Sequence, residues 1–250
     1  MPEVEWSEDA LLAGQVRLLQ PKRGHRAGTD AVLLAAAAPP IERGVVIDAG
    51  AATGAVGLMI GRRFPHVELV FVERDRGLAD LCRENIALNG MDMRAHAVEA
   101  DLLDRRSWPE AGLVQERADI VATNPPFLEE GRARSSPDAR RAAAHSLPRG
   151  GLEAWIKSCA ALLKPDGHLV LIHRADRLQD CLSLLGRGFG DIRLRFVHPQ
   201  ADRPAIRVLL SAVKGSRAPL RVEAPLALHE ASGRFTPAAE IAHRDGTLPL

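Results

Sequence analysis

The sequence predicts an α/β fold in which a doubly wound, mostly parallel sheet is closed by one antiparallel strand. From residue 45 onward, short β-branched runs alternate with longer amphipathic segments, which is the pattern of right-handed β-α-β crossovers. A glycine-rich turn follows the first of these runs. Near the end, two strand-like runs are joined by a loop too short to hold a helix, so they must be antiparallel neighbours.

Seven segments have the composition of buried strands, and helical segments separate most of them. The predicted strands are 45–49, 67–73, 94–100, 118–123, 168–173, 192–197 and 206–213. The predicted helices are 31–38, 56–64, 76–89, 152–163 and 175–185. The longest irregular stretch, 125–150, follows the fourth strand directly, and loops of this length in compact domains are often functional.

Composition excludes several classes of protein. The 250 residues are 46% hydrophobic, which rules out wholesale disorder, and 33 Lys and Arg balance 32 Asp and Glu. The three cysteines are scattered and match no metal or redox spacing, so we expect no metal and a reducing compartment. The acidic start does not fit a signal peptide, and the apolar stretch 31–41 is too short to cross a bilayer. These features predict a cytoplasmic protein without membrane contact.

The turn 50–54 carries the first ligand signal. Gly50 permits a tight turn, Gly54 permits close approach of the backbone to a ligand, and Asp48 lies at the end of the preceding strand. The second strand ends at Glu73, at the spacing from which an acid reaches a ribose diol. A purely structural turn is the alternative for the glycines alone. Together with the acid, they predict that a nucleotide-type cofactor binds here.

Two further acids are candidates for the same pocket. Asp101 closes the third strand, and Asp30 lies with Thr29 at the start of helix 31–38. Capping of the segment that follows is the alternative for both positions. If the start of this helix lies over the cofactor pocket, Asp30 contacts the cofactor.

The four residues 124–127, Asn-Pro-Pro-Phe, follow the fourth strand and form the most informative motif. The prolines remove two backbone donors and hold Asn124 extended, so a rigid turn begins where ligands bind in such sheets. The Asn124 side-chain oxygen and the Pro125 carbonyl could hold both N–H bonds of an amine, while Phe127 stacks on a planar base. A structural turn is the alternative, but the position favours three catalytic candidates: Asn124, Pro125 and Phe127.

These residues resemble those of the class I S-adenosylmethionine-dependent methyltransferases with an Asn-Pro-Pro-aromatic motif, over about residues 20–215. The resemblance implies a Rossmann-like, doubly wound, seven-stranded sheet with the last strand antiparallel, and S-adenosyl-L-methionine as cofactor. It also implies that Glu73 binds the ribose, Asp101 the adenine of the cofactor, and the motif 124–127 the target amine. Ala52 replaces the middle glycine of the family's turn, which could weaken cofactor binding.

The chain is expected to have three parts. Residues 1–42 form an N-terminal extension that packs on the catalytic domain. Residues 43–215 form the class I methyltransferase domain, and residues 216–250 form a C-terminal tail.

A closer likeness is to the bacterial tRNA(Val) adenine-N6 methyltransferases, which modify the anticodon loop. It depends on the segments 20–34, 48–58 and 83–90, the last reading Arg-Glu-Asn-x-x-x-Asn-Gly. Ribosomal guanine-N2 and release-factor glutamine methyltransferases share the tetrapeptide, but usually with a second domain copy or a separate helical domain. Only about 40 residues precede the first predicted strand here, too few for such a helical domain. Phe127 in place of the usual Tyr leaves both adenine and guanine as possible targets.

An RNA substrate, most simply a tRNA, requires phosphate contacts. Three basic stretches near the strand carboxyl ends or the termini could form one rim: 17–26, 131–150 with five arginines, and 193–221 with seven basic residues. Arginine suits phosphate well, although genomic base composition also explains its abundance. Such a rim predicts that tRNA affinity falls steeply with added salt.

Two classes of function fit the motifs. The first is an N-methyltransferase acting on the exocyclic amine of a base in RNA, most simply adenine N6 in a tRNA anticodon loop. The second is a non-catalytic RNA-binding module that kept the fold, and Ala52 alone favours it. The reversed last strand and the tetrapeptide disfavour a nicotinamide oxidoreductase.

Overall fold

The computed structural model describes residues 5–22, 26–126, 128–129, 146–147 and 151–248. The strands are β1 (Trp6–Leu11), β2 (Val16–Pro21), β3 (Gly44–Ala49), β4 (Val67–Glu73), β5 (Ala95–Glu99), β6 (Ala118–Thr123), β7 (Leu128–Glu129), β8 (Ser146–Leu147), β9 (Leu163–Arg174), β10 (Phe189–Gln200), β11 (Arg207–Lys214), β12 (Arg221–Val222) and β13 (Leu226–His229). The helices are α1 (Thr29–Ala36), α2 (Ala55–Arg63), α3 (Arg76–Leu88), α4 (Gly151–Leu162), α5 (Leu178–Leu185) and α6 (Pro237–Asp245).

The main sheet has nine strands in the order β12-β10-β11-β9-β6-β3-β4-β5, and β13 also pairs with β10. Strands β3, β4, β5, β6 and β9 pair in parallel, whereas β11 is antiparallel to both β9 and β10. The predicted α/β fold with an antiparallel last strand is therefore confirmed. All seven predicted strands are present, and two short strands from the tail extend the sheet.

Helices cover both faces of the sheet, as expected for a doubly wound fold. One core lies between the sheet and α1, α2, α3 and α6, and it is centred on apolar side chains of β3, β4 and β6. The other core packs α4 and α5 against the opposite face. The crossover direction reverses between β3 and β6, so their carboxyl ends form the crevice in which ligands bind in this type of sheet.

The N-terminal extension forms the antiparallel hairpin β1–β2, which the sequence analysis did not predict. Two asparagines four residues apart dock it: Asn85 on α3 and Asn89, the C-cap residue of that helix. The Asn85 side chain accepts from Leu19 N (2.7 Å) and donates to Leu19 O (2.8 Å). The Asn89 side chain makes the same pair of bonds with Arg17, at 3.0 and 2.7 Å. The hairpin therefore packs on the rest of the structure through two asparagine amides. These make the hydrogen bonds to the β2 backbone that a neighbouring strand would otherwise make.

Three local predictions need correction. Strand β9 begins at Leu163 rather than at residue 168. Pro165 and Gly167 lie within this strand, where its register against β6 is irregular. The predicted helix 175–185 is a 3-10 turn, Ala175–Arg177, followed by α5. Thr29 and Asp30 do not cap α1, because Gly28 is the N-cap residue and makes no side-chain cap hydrogen bond.

The tail is part of the folded structure. Strands β12 and β13 pair in parallel with β10, and α6 buries Ala239 and Ala242 in the core. His229 and His243 both stack on Phe235, with ring centroids 4.8 and 4.5 Å away. The division at residue 216 stays a prediction.

The described helices fall short of the length and apolarity that a bilayer crossing requires. The cysteines Cys82, Cys159 and Cys181 are all buried and free. In the described segments, no three His, Cys, Asp or Glu side chains cluster as a metal site would require.

Candidate active site

The glycine turn between β3 and α2 is fixed by backbone hydrogen bonds. Gly50 N donates to Val72 O of β4 at 2.9 Å, and Gly50 adopts φ = +78°, which favours glycine. Gly54, at φ = +89°, begins α2 where a Cβ would come within 2.7 Å of Cys82 Sγ. Both glycines are therefore required for the turn to pack this closely against its neighbours.

Asp48 holds this turn to the helix rather than facing outward. Its Oδ2 accepts from Gly57 N in the first turn of α2, at 2.8 Å, and the residue is 3% exposed. Burial, together with the nearby Glu73 carboxylate, raises the pKa of Asp48 to about 7, although the Gly57 bond opposes the shift. Its described contact therefore supports a positioning role, and direct cofactor contact stays a prediction.

Glu73 lies directly beside the turn. Its Oε2 accepts from Ala52 N at 2.9 Å and its Oε1 from Asp75 N at 2.8 Å. Burial raises the pKa of Glu73, while the backbone N–H bonds oppose this. Ala52 adopts φ = +48°, so its methyl group does not prevent the left-handed conformation that the bond to Glu73 uses. Each carboxylate oxygen keeps lone pairs for further donors, as the ribose-binding prediction requires.

Asp101 follows β5 and lies next to Glu73 in the sheet. The adjacent Ala100 N donates to Glu73 O at 2.9 Å, so the two strand ends lie side by side. Asp101 Oδ1 accepts from Leu103 N at 2.8 Å, which is the turn-capping role given as the alternative. This bond occupies one oxygen only, and the adenine contact stays a prediction.

Asn124 leaves the sheet beside the glycine turn, because Thr123 of β6 pairs with Ala49 of β3 in the last step of their ladder. Its Oδ1 is buried and has no hydrogen-bond partner among the described residues. Pro125 is buried and Pro126 partly so. Since a buried acceptor without a donor costs about 1–3 kcal/mol, this oxygen is suited to a ligand that brings an N–H or O–H. Phe127 lies outside the described residues.

Asp30 is placed apart from the other acids. Its Oδ2 pairs with Arg207 Nε of β11 at 2.8 Å, and both side chains are about one quarter exposed. In the sheet order, β11 lies two strands beyond β6, on the side away from Glu73. The structure thus brings together Asp48, Gly50, Gly54, Glu73, Asp101 and Asn124, whereas the described partner of Asp30 belongs to the other side.

Three residues that position the site were missed by the sequence analysis. Asn85 Nδ2 also donates to Thr53 O in the glycine turn at 2.9 Å, which joins the N-terminal hairpin to the turn. Trp155 Nε1 on α4 donates to Thr123 Oγ1, which in turn donates to Ala49 O. Asn85 lies in the motif 83–90, but the sequence analysis gave this residue no role. No local signal marks Trp155, since its partner lies 32 positions earlier.

The predicted single basic rim is wrong in part. Arg193, near the start of β10, is the ladder partner of Arg221 in β12, and Lys214 lies at the end of β11. All three are at the amino edge of the sheet, opposite the edge that carries Asn124. In the stretch 17–26, Arg17, Lys22 and Arg26 pair with acids of the N-terminal segment. The arginines of 131–150 lie outside the described residues.

Comparison with known proteins places the chain in a family. Residues 26–197 match the model of the methyltransferase small domain family. A tRNA1(Val) (adenine(37)-N6)-methyltransferase of Porphyromonas gingivalis is 35% identical over 159 residues, which span 62% of this chain and 61% of that protein. The protein of the same name from Erwinia tasmaniensis is 32% identical over 74% of each chain.

A solved structure agrees with these matches. The crystal structure of a predicted O-methyltransferase from Agrobacterium tumefaciens has a TM-score of 0.73 and 30% identity, and covers 88% of this chain and 98% of that one. The fold and the family expected from the motifs are therefore both confirmed. The chain belongs to the methyltransferase small domain family of S-adenosylmethionine-dependent methyltransferases.

Proposed function

We propose that this protein transfers a methyl group from S-adenosyl-L-methionine to N6 of an adenine in a tRNA anticodon loop. Its relatives from Porphyromonas gingivalis and Erwinia tasmaniensis are named for adenine 37 of tRNA1(Val). The observation that carries the proposal is the buried, unpartnered Asn124 Oδ1 beside the glycine turn. An amine donor is what this oxygen lacks, and adenine N6 is an amine donor.

The residues at the ends of β3, β4 and β5 fit the cofactor. Glu73 would bind the ribose hydroxyls and Asp101 the adenine amine. The turn 50–54 would lie against the part of the cofactor between these two contacts. The turn would approach the cofactor through its backbone, since its two left-handed glycines carry no Cβ. When bound, the cofactor supplies a methyl group made electrophilic by an adjacent sulfonium.

The Asn-Pro-Pro turn would orient the target amine. Asn124 Oδ1 and the Pro125 carbonyl accept its two N–H bonds, which draws the nitrogen lone pair out of conjugation with the ring. The nitrogen then forms its bond to the methyl carbon as the carbon–sulfur bond breaks, and the surplus N–H proton leaves to water. Neither oxygen is basic, so the turn contributes orientation and charge stabilisation rather than proton abstraction.

The base must leave its stack to reach a turn at the sheet edge. Loop bases do so at little cost, which favours a loop over a duplex as the target. Four arginines lie on the same edge as Asn124, each paired with an Asp: Arg174 at the end of β9, Arg177 and Arg203 in the segments that follow β9 and β10, and Arg207 at the start of β11. We propose them as phosphate contacts together with the loop arginines of 131–150.

The test is a methyl-transfer assay on tRNA from a strain without the gene, with a labelled cofactor methyl group and digestion to nucleosides. Label in N6-methyladenosine is expected, and a tRNA1(Val) transcript with adenine 37 replaced by guanine is the matched control without label. Label in N2-methylguanosine would support the ribosomal guanine alternative instead. Label in glutamine of added release factor would support the protein alternative, and cofactor binding without transfer to any substrate would support the non-catalytic module.

The Agrobacterium tumefaciens protein makes an oxygen acceptor the second candidate, since its structure carries the description of a predicted O-methyltransferase. A hydroxyl has one hydrogen to donate, whereas an amine has two for the two proposed oxygens. The same digest separates these outcomes, because a 2′-O-methylated nucleotide resists alkaline cleavage.

A further inference from the structure

We infer that Trp155 is a positioning residue that sets the spacing between the cofactor turn and the Asn124 turn. This inference depends on the proposed function, because it concerns the distance over which a methyl group must pass. Trp155 lies on α4 on the opposite face of the sheet from α2. It is 8% exposed, and its indole reaches both turns.

One chain of hydrogen bonds joins α4 to both strand ends. Trp155 Nε1 donates to Thr123 Oγ1 at 2.9 Å, and Thr123 Oγ1 donates to Ala49 O at 2.8 Å. Thr123 is fully buried, and its single hydroxyl proton is used toward Ala49, so the direction of the chain is fixed. Thr123 directly precedes Asn124, and Ala49 directly precedes Gly50.

These hydrogen bonds lie at the point where strands β3 and β6 separate. The ladder between β3 and β6 ends at the pair Ala49 and Thr123, after which the two backbones diverge. Gly50 turns toward β4, where it bonds Val72, while Asn124 enters the proline turn. The threonine bond is thus a side-chain connection between the two turns at the point where backbone pairing stops.

The ring of Trp155 adds a second contact with the cofactor turn. A Cβ on Gly50 would lie 2.9 Å from Trp155 Cζ2 and 3.0 Å from Cη2, so the indole edge packs directly against this glycine. One side chain therefore contacts the glycine turn with its ring and the residue before Asn124 with its N–H. Reacting atoms must approach to about 3–3.5 Å, and a 1 Å error costs about 10²-fold in rate, so this spacing affects the chemical step more than binding.

The first test compares rates and affinities in four single variants and one double variant of the full chain. Trp155→Phe removes the N–H and also the indole edge that packs on Gly50, Thr123→Val removes only the hydroxyl, and Thr123→Ser keeps it. We expect the first two to lower the single-turnover rate about tenfold, with the cofactor Kd within about threefold of wild type. Thr123→Ser should keep the wild-type rate, and so should Trp6→Phe, a control at a tryptophan that is 43% exposed. A Trp155→Phe/Thr123→Val double variant should lose less than the sum of the two single losses, since both single variants remove the Trp155–Thr123 bond.

The second test needs no substrate. The chain has three tryptophans, so 5-fluorotryptophan labelling gives three ¹⁹F signals, and the one absent from Trp155→Phe belongs to Trp155. We expect this signal to shift on saturation with S-adenosylmethionine and, in the cofactor-free protein, on Thr123→Val. A merely structural tryptophan would lower the melting temperature and leave the signal insensitive to cofactor.

The outcomes separate the two proposals. If the wild type transfers methyl groups to tRNA and Trp155→Phe does so at the same rate, the inference is overturned and the proposed function is left intact. If wild type transfers no methyl group to any tRNA, the proposed function fails, and the inference is then decided by the ¹⁹F signal alone. A Trp155 signal that does not move on addition of cofactor overturns the inference in either case.

Discussion

The proposed cofactor side and the proposed substrate side of the crevice satisfy their polar groups in different ways. On the cofactor side, Asp48, Glu73 and Asp101 each accept a backbone N–H from a neighbouring turn or helix start. On the substrate side, Asn124 Oδ1 is buried without a donor in the described structure. The first group is held in place before any ligand arrives, whereas the second lacks the partner that a ligand would bring.

This difference separates binding from chemistry. Acceptors that are already oriented by the backbone lose little freedom when a ribose or an adenine arrives, so they favour affinity. An acceptor left unpartnered in a buried turn gains most when a donor N–H is pressed against it, so it favours the reacting complex. Substitutions on the two sides should therefore change different measured quantities.

The largest effect is expected from Asn124→Ala on the substrate side. Removal of one of two acceptors on the amine should lower the single-turnover rate of methyl transfer by about 10²–10³-fold. The cofactor Kd, measured by calorimetry, should stay within about twofold, because Asn124 has no described bond to the cofactor turn. Asn124→Asp keeps an acceptor oxygen and is the matched control. A variant Asn124→Ala with near-full activity would contradict the proposed chemistry.

The next effect is expected from Glu73→Gln on the cofactor side. Hydrogen bonds to a charged acceptor contribute about 1.5–3 kcal/mol, so the cofactor Kd should rise about 10- to 100-fold, with a smaller change in rate at saturation. Glu99→Gln is the control, because Glu99 pairs with Glu73 in the ladder and is exposed. Equal cofactor affinity in wild type and Glu73→Gln would remove the ribose assignment.

Asp48 should make wild-type stability depend on pH. Its folded-state pKa of about 7 lies above the ordinary 3.8, so the folded protein binds the extra proton and loses stability as pH rises between these values. Asp48→Asn keeps an acceptor for Gly57 and cannot titrate. Its unfolding free energy relative to wild type should therefore improve by up to about 1.4 kcal/mol per pH unit across this window. Urea unfolding at several pH values measures this, and parallel curves would show that Asp48 titrates normally.

The smallest effect is expected from Ala52→Gly. Ala52 already adopts the left-handed conformation that the Glu73 bond needs. Glycine relieves about 1–2 kcal/mol of left-handed strain but adds unfolded-state freedom, so the net change in unfolding free energy should be below about 1 kcal/mol. The cofactor Kd should change less than about threefold. A tenfold gain in affinity would show instead that the methyl group obstructs the cofactor, as the sequence suggested.

The sequence was sufficient to predict the central sheet because its signals are local. Runs such as 67–73 and 118–123 are continuous and apolar, and they coincide with β4 and β6. The antiparallel pairing of β10 and β11 was predicted from one observation, the short loop between them. Glu73, Asp101 and Asn124 were found because strand order puts strand ends at one edge, and family membership supports that arrangement. Their roles stay predictions.

What the sequence did not predict depends on distant partners. The hairpin β1–β2 forms where alternating acids masked the strand pattern, and it is held by asparagines 66 and 72 positions away. Trp155 bonds across 32 positions and touches Gly50 across more than one hundred. The split of the basic stretch 193–221 between two edges follows from the hairpin register, which composition does not encode.

The pairing of β12 and β13 with β10 also bears on self-association. Their parallel bonds engage Arg193, Leu194, Val197, His198 and Gln200 along the outer side of β10. Without the last thirty or so residues, that side would present an unprotected row of peptide groups, a template on which a second molecule could add as a strand. During synthesis, β10 and β11 emerge before the segment that shields them. The segment 221–229 therefore covers the outer edge of β10 against strand addition only after it has itself been synthesised.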